Sequence, residues 1–98
     1  MTRKDILEAA QKCVCTDREE SYGSPEDNFR TIAGLWREYL RAGYGVRLSL
    51  EEKDVAAMMA LLKIARIATG TQKEDNWIDL AGYAACGGEA QTEKEREI

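Results

Sequence analysis

Four charged residues in the second half of the chain have the types and spacing to do chemistry. Lys63 and Arg66 stand three apart in VAAMMALLKIARIAT, and Asp75 and Asp79 stand four apart in DNWIDLAGYAAC. Residues three or four apart are neighbours on a helix surface, so each pair projects from one side. If the two stretches are antiparallel helices joined by GTQKE, the cations face the acids. Arg66 falls about 20° from Val55 on the helical wheel, in the middle of an apolar face, with Lys63 on its flank. A guanidinium that stays charged among methionines and leucines needs an acceptor. Two chemistries follow. One is a pair of interhelical salt bridges that set the register. In the other, Lys63 and Arg66 hold a phosphate or carboxylate while Asp79 orients the arginine or meets a ligand hydroxyl.

Metal-assisted phosphate chemistry has its own candidates. Carboxylates one helical turn apart on facing helices can hold magnesium, and Glu51 with Asp54 makes a second acidic pair beside Asp75 and Asp79. Within an antiparallel hairpin the two pairs do not meet. Asp54 sits some 14 residues back from the connection, about 21 Å at 1.5 Å per residue. Such a metal would need carboxylates from two subunits. Zinc is excluded on other grounds: Cys13 and Cys15 are too close for a C-x-x-C pair, and the chain has no histidine. The missing histidine also removes every Ser-His and Cys-His nucleophile. The three cysteines read as small, mostly buried thiols.

A third cluster, Arg18, Tyr22, Asn28 and Phe29, surrounds the start of a helix at Ser24-Pro25-Glu26-Asp27. Ser24 suits the cap, Pro25 the first turn, and the two acids the positive end of the helix dipole. An aromatic ring beside free backbone N–H groups can seat a base and a phosphate. A loop tyrosine packed on its own bundle is the plainer alternative. Trp36 and Trp77 lie on apolar stripes and are expected in the core.

The elements that must carry these residues are helices. The first runs from a cap at Thr2 to about Val14, with Ile6, Leu7 and Ala10 on its stripe. A second from Ser24 to Arg41 buries Phe29, Ile32, Ala33, Trp36, Tyr39 and Leu40. A third begins at a capping box of Ser49 and Glu52, ends at a left-handed Gly70, and buries Val55, Met58, Met59, Leu62 and Ala65. The fourth ends at Gly87-Gly88. It has an apolar side of Trp77, Ala81 and Ala84, and a narrow side of Asp75, Asp79, Gly82 and Cys86 that permits close approach. Residues 1–88 thus form one helical domain, and 89–98 a charged C-terminal tail.

Composition sets the bounds. Ninety-eight residues with 44% hydrophobic content make one small globular domain. The lone Pro25 and the absence of any alternating β-branched run argue against a sheet. No 18-residue apolar segment and no signal-peptide pattern occur, so neither a membrane span nor export is expected. A net charge of −4 disfavours sequence-independent nucleic-acid binding, and no sequence-specific nucleic-acid partner is expected.

Three blocks in order carry a resemblance. They are R-x-x-x-Y-G-x-x-x-x-N-F (Arg18 to Phe29), M-x-x-L-L-K-I-A-R-I (Met58 to Ile67) and D-N-W-I-D-L-A-G-Y (Asp75 to Tyr83). Over this span the chain resembles a family of small phage and prophage proteins of unassigned function. It is more distantly similar to the all-α nucleoside triphosphate pyrophosphohydrolases of the MazG type, helical oligomers with E-x-x-E on one helix and E-x-x-D on the next. Asn76 and Asp79 take the second spacing, while Lys63 and Arg66 stand where the MazG-type resemblance implies the glutamates of E-x-x-E. Two cations cannot ligate magnesium, so either Glu51 and Asp54 substitute from a neighbouring subunit, or direct contact with the ligand's anion replaces the metal.

The expectation is therefore an all-α, four-helix-bundle-like domain that forms a homo-oligomer in the bacterial cytoplasm. It binds a phosphorylated small molecule, a nucleotide or nucleotide-derived signal, through Arg18, Tyr22, Asn28, Lys63, Arg66, Asp75 and Asp79, without a cofactor. The alternatives are a magnesium-dependent pyrophosphohydrolase using Glu51, Asp54, Asp75 and Asp79, and a helical module that only contacts proteins.

Overall fold

In a computed structural model of the chain, residues 1–17, 24–70 and 72–96 are described. Among them are four α-helices and no strand. Helix α1 (Arg3–Lys12) starts at a complete capping box: Asp5 N–H donates to Thr2 Oγ1 at 3.1 Å, and Thr2 N–H donates to Asp5 Oδ2 at 3.0 Å. It passes into a π-helical turn, Cys13–Asp17. Helix α2 (Pro25–Tyr44) opens as expected, with Ser24 Oγ accepting from Asp27 N–H at 3.3 Å. It runs one turn past Arg41 and stops at Gly45, whose φ of 69° is the left-handed conformation that glycine adopts without strain.

Helix α3 (Glu52–Thr69) begins later than the Ser49 box implied. Glu51 is the cap, and its N–H donates to Asp54 Oδ2 at 2.9 Å. The Arg37 guanidinium donates to the Leu50 carbonyl just before this start, and Glu51 rather than Ser49 takes the cap position. Gly70 ends α3 with extended rather than left-handed backbone, φ −100° and ψ −171°, while its N–H closes on Arg66 O at 2.8 Å. Helix α4 (Glu74–Arg96) does not stop at Gly87-Gly88. Gly87 is a packing residue: a Cβ there would lie 3.0 Å from Ala56 Cβ on α3. The expected tail is helical as far as Arg96.

Helices α3 and α4 form the antiparallel hairpin, Lys63 meeting Asp79 near the connection and Ala56 meeting Gly87 farther on. Helix α1 lies along α4 in the same direction. The terminal amine is 3.6 Å from Glu74 Oε1, and Val14 Cγ1 lies where a side chain on Gly82 would begin. Helix α2 covers the other flank of α3 and adds the Arg30–Glu52 ion pair at 3.2 Å. The core is Phe29, Ala33, Val55 and Ala56, with Ile32, Trp36, Leu50, Met59, Tyr83 and Cys86 packed around it.

Several side chains stand elsewhere than their periodicity implied. On α3 the buried residues are Val55, Ala56 and Lys63, whereas Met58, Leu62, Ala65 and Arg66 are exposed. That is a rotation of about 80° from the expected stripe. Leu7, Tyr39, Trp77 and Ala84 are exposed as well, Tyr39 lying against Tyr44 rather than in the core. Of the cysteines, Cys13 and Cys15 are exposed and Cys86 is half-buried. On α4 the cause is close approach: Gly82 faces Val14 and Gly87 faces Ala56, which leaves Trp77 and Ala84 outside.

Candidate functional site

Lys63 is the one buried charged residue among those described, and it reaches Asp79 Oδ2 at 2.8 Å. Lys63 shares the buried side of α3 with Val55 and Ala56, and Asp79 is one turn before Gly82. Asp79 also lines a narrow crevice between the π-helical turn, the start of α2 and α4, together with Cys13, Val14, Pro25, Phe29, Ile78, Gly82, Tyr83 and Cys86. The enclosed space is about 20 Å³, room for one water. Phe29 and Tyr83 form one apolar wall, with ring centroids 6.2 Å apart and planes at 36°. Two clusters distant in sequence, one at Phe29 and one at Asp79, therefore share this crevice.

The other expected site residues are distributed differently. Arg18 and Tyr22, with Gly23, lie outside the described residues. The described chain resumes at Ser24, next to the crevice wall at Pro25. Asn28 is half-buried and engaged in an interaction one residue before Phe29. Arg66 and Asp75 are exposed, and neither forms an ion pair with a described residue. Of the four-residue seam, then, the structure joins Lys63 and Asp79 only.

Glu51 and Asp54 stand at the far end of the hairpin. Asp54 closes the start of α3 and lies 3.7 Å from Lys53 Nζ. Lys53 O is 4.0 Å from the Cβ position of Gly87, eight residues beyond Asp79 or about 12 Å along α4. No group of three or more Cys, Asp or Glu side chains is placed to hold a metal among the described residues.

Sequence reasoning set Cys86 with Asp79 and Gly82 on the close-approach side of α4 but did not identify Tyr83 or the π-helical turn as crevice walls. The spacing of Asp79, Gly82 and Cys86 was the available signal, since it turns one side of α4 toward whatever packs closest. A second hollow, of about 280 Å³, is lined by Glu26, Arg30, Glu51, Glu52, Glu89 and Glu93 among others. The sequence reading had placed Glu89 and Glu93 in the tail. The Glu26 carboxyl is held below the usual carboxylate range, first by a hydrogen bond with Glu89 and then by its own backbone amide at the start of α2.

Comparison with known proteins gives the chain a family. A family model described as a domain of unknown function, DUF6378, matches residues 5–91. The gene 55 protein of Mycobacterium phage D29 is 39% identical over 83 residues, which cover 85% of this chain and 51% of that protein. The gene 55 protein of Mycobacterium phage L5 is 42% identical over 79 residues, covering 81% of this chain and 47% of that protein. The chain thus spans about half the length of the curated relatives it matches. No solved structure matches it. A match that takes in α1, the crevice and most of α4 is a match to the whole helical unit, and this chain belongs to the DUF6378 family, whose function is unassigned.

Proposed function

We propose that this chain is a phage-type helical protein that binds a phosphorylated small molecule, a nucleotide or nucleotide-derived signal, at the mouth of the crevice. The observation that carries the reading is convergence. Phe29 from the R-x-x-x-Y-G-x-x-x-x-N-F block and Asp79 from the D-N-W-I-D-L-A-G-Y block line the same space, and the segment holding Arg18 and Tyr22 attaches beside it at Ser24. In this reading Arg18 binds the phosphate. Tyr22 stacks on the base. The Lys63–Asp79 pair acts from beneath, fixing the carboxylate that faces the ligand. Arg66 and Asp75 contribute no more than long-range charge. The reading includes self-association, because one side of α3 is left bare in the single chain.

Calorimetry and thermal unfolding with nucleoside mono-, di- and triphosphates and a cyclic nucleotide, all without metal, test it. A ligand at one hundred times its Kd should raise stability by about 2.7 kcal/mol. Arg18→Ala and Tyr22→Ala should abolish that gain while leaving the ligand-free protein folded. Failure of every such compound to stabilise the protein at millimolar concentration overturns the reading. The pyrophosphohydrolase alternative, which rests on the MazG resemblance, has less support: Asp54 is engaged in capping α3, and Asp79 is engaged by Lys63. EDTA-sensitive release of pyrophosphate, lost in Asp79→Ala, would replace binding with hydrolysis.

A further inference from the structure

Helix α2 and the segment that follows it gather three arginines. Arg37 and Arg41 stand one turn apart on α2, and Arg47 comes back to them after the chain turns at Gly45. The turn is fixed locally. Left-handed Gly45 donates its N–H to Arg41 O at 3.0 Å, and Val46 N–H donates to Leu40 O at 3.3 Å. Arg37 then holds the returning segment by donating to the Leu50 carbonyl. The result is a hollow of about 340 Å³ lined by Gly34, Arg37, Glu38, Arg41, Arg47 and Leu48. Its floor is bare at Gly34, where Arg37 Nη2 lies 3.6 Å from the position of a Cβ.

Three guanidiniums gather only against their mutual repulsion, and a single acid lines the hollow with them. That acid, Glu38, is taken up by Arg41, which donates to it through Nε at 3.0 Å and Nη2 at 2.7 Å. The Arg47 guanidinium forms no ion pair or hydrogen bond with a described residue. Three positive charges against one negative leave the hollow at +2, in a chain whose net charge is −4.

We propose that this hollow binds a phosphate monoester, the phosphate group sitting among Arg37, Arg41 and Arg47 and the carbon beside it meeting Leu48. Charge selects the ligand. A monoester carries about −1.5 to −2 at neutral pH, which balances the hollow, whereas a carboxylate or a phosphodiester is only singly charged. Donor geometry agrees. A guanidinium fork matches two phosphate oxygens at once. Each guanidinium has five N–H donors, of which Arg37 spends one on Leu50 and Arg41 two on Glu38. The hollow is separate from the crevice, since Arg41 lies twelve residues past Phe29, about 18 Å along α2. The proposal goes beyond the nucleotide reading and stands without it.

Titration with inorganic phosphate at constant ionic strength, followed through the arginine Nε–Hε resonances, is the test. The Arg41 and Arg47 signals should shift and saturate with a Kd of about 1 mM or tighter. Arg47→Ala should weaken binding at least tenfold with unchanged helical circular dichroism, because Arg47 is exposed and unpaired. Arg3→Ala, at an exposed position on α1, should bind as the parent does. Dimethyl phosphate, a singly charged diester, should bind at least tenfold more weakly than phosphate. A sugar monophosphate and a phosphoserine peptide carry the same group, and the tighter of the two identifies a small molecule or a protein as its source. No saturable shift up to about 20 mM phosphate, far above that Kd, overturns the inference. So does an Arg47→Ala variant that binds like the parent. An oligonucleotide without a terminal phosphate that binds as tightly as the monoesters overturns it too, and gives the hollow to a nucleic-acid backbone. Phosphate binding lost in Arg18→Ala but kept in Arg47→Ala would overturn this site while leaving the nucleotide reading intact.

Discussion

The Lys63 ammonium sits 2.8 Å from the Asp79 carboxylate, with the lysine side chain 10% exposed and the aspartate 36%. That difference in exposure makes the pair unequal. Asp79→Ala strands a buried cation, and the cost should be about 2–4 kcal/mol, somewhat less than for a fully buried pair because Asp79 reaches solvent. Lys63→Met replaces the cation by an apolar chain of similar volume and leaves a carboxylate that water can still reach. Its cost should stay below about 1 kcal/mol. Urea unfolding of the two variants decides the matter; equal losses would contradict the asymmetry.

Arg66→Met tests the rest of the seam. The guanidinium is exposed and forms no ion pair with a described residue. Unfolding at a concentration where the subunit state is unchanged should show a difference within about 0.5 kcal/mol, the scale of ordinary surface substitutions. A loss of several kcal/mol would mean that Arg66 is a structural partner after all.

Gly87 and Gly88 are adjacent in one helix and should respond oppositely to alanine. A Cβ on Gly88 meets nothing within 4 Å. There the helix preference of alanine should appear as a gain of about 0.5–1 kcal/mol. At Gly87 the same preference is opposed by the 3.0 Å approach to Ala56. Gly87→Ala should gain nothing or lose stability, as thermal unfolding of the two variants would show.

Acid should loosen α1 from its N-terminal end. The Asp5 carboxyl is held below its ordinary value, chiefly by the Thr2 backbone N–H and then by the Thr2 hydroxyl. A carboxylate lowered in the folded state contributes stability that is fully present above the usual carboxylate range. That stability is lost as pH falls through the folded value, below about pH 4. Hydrogen exchange at the Asp5 and Ile6 amides should accelerate across that window. In Asp5→Asn the acceleration should be absent.

The helices themselves were legible from local chemistry. Thr2 with Asp5, and Ser24 with Pro25 and Asp27, satisfy the free N–H groups at helix starts through residues three positions away. Such contacts need no information from the rest of the chain. The antiparallel hairpin of α3 and α4, and the meeting of Lys63 with Asp79, followed from the short connection and the one-turn spacing of like charges. Which side of α3 faces inward did not. With Met58, Leu61, Leu62, Ile64 and Ala65 spread widely around the helix, its apolar pattern has no single direction, and the periodicity set Arg66 rather than Lys63 at the middle of the inward face. The choice was made by the neighbour: Gly87 lets α4 approach Ala56 closely, with Ala56 and Lys63 turned inward and Arg66 outward. The same contact carried α4 through Gly87-Gly88, where local propensity alone would end a helix. Close packing is a property of two surfaces together, and one strand of sequence specifies only its own half.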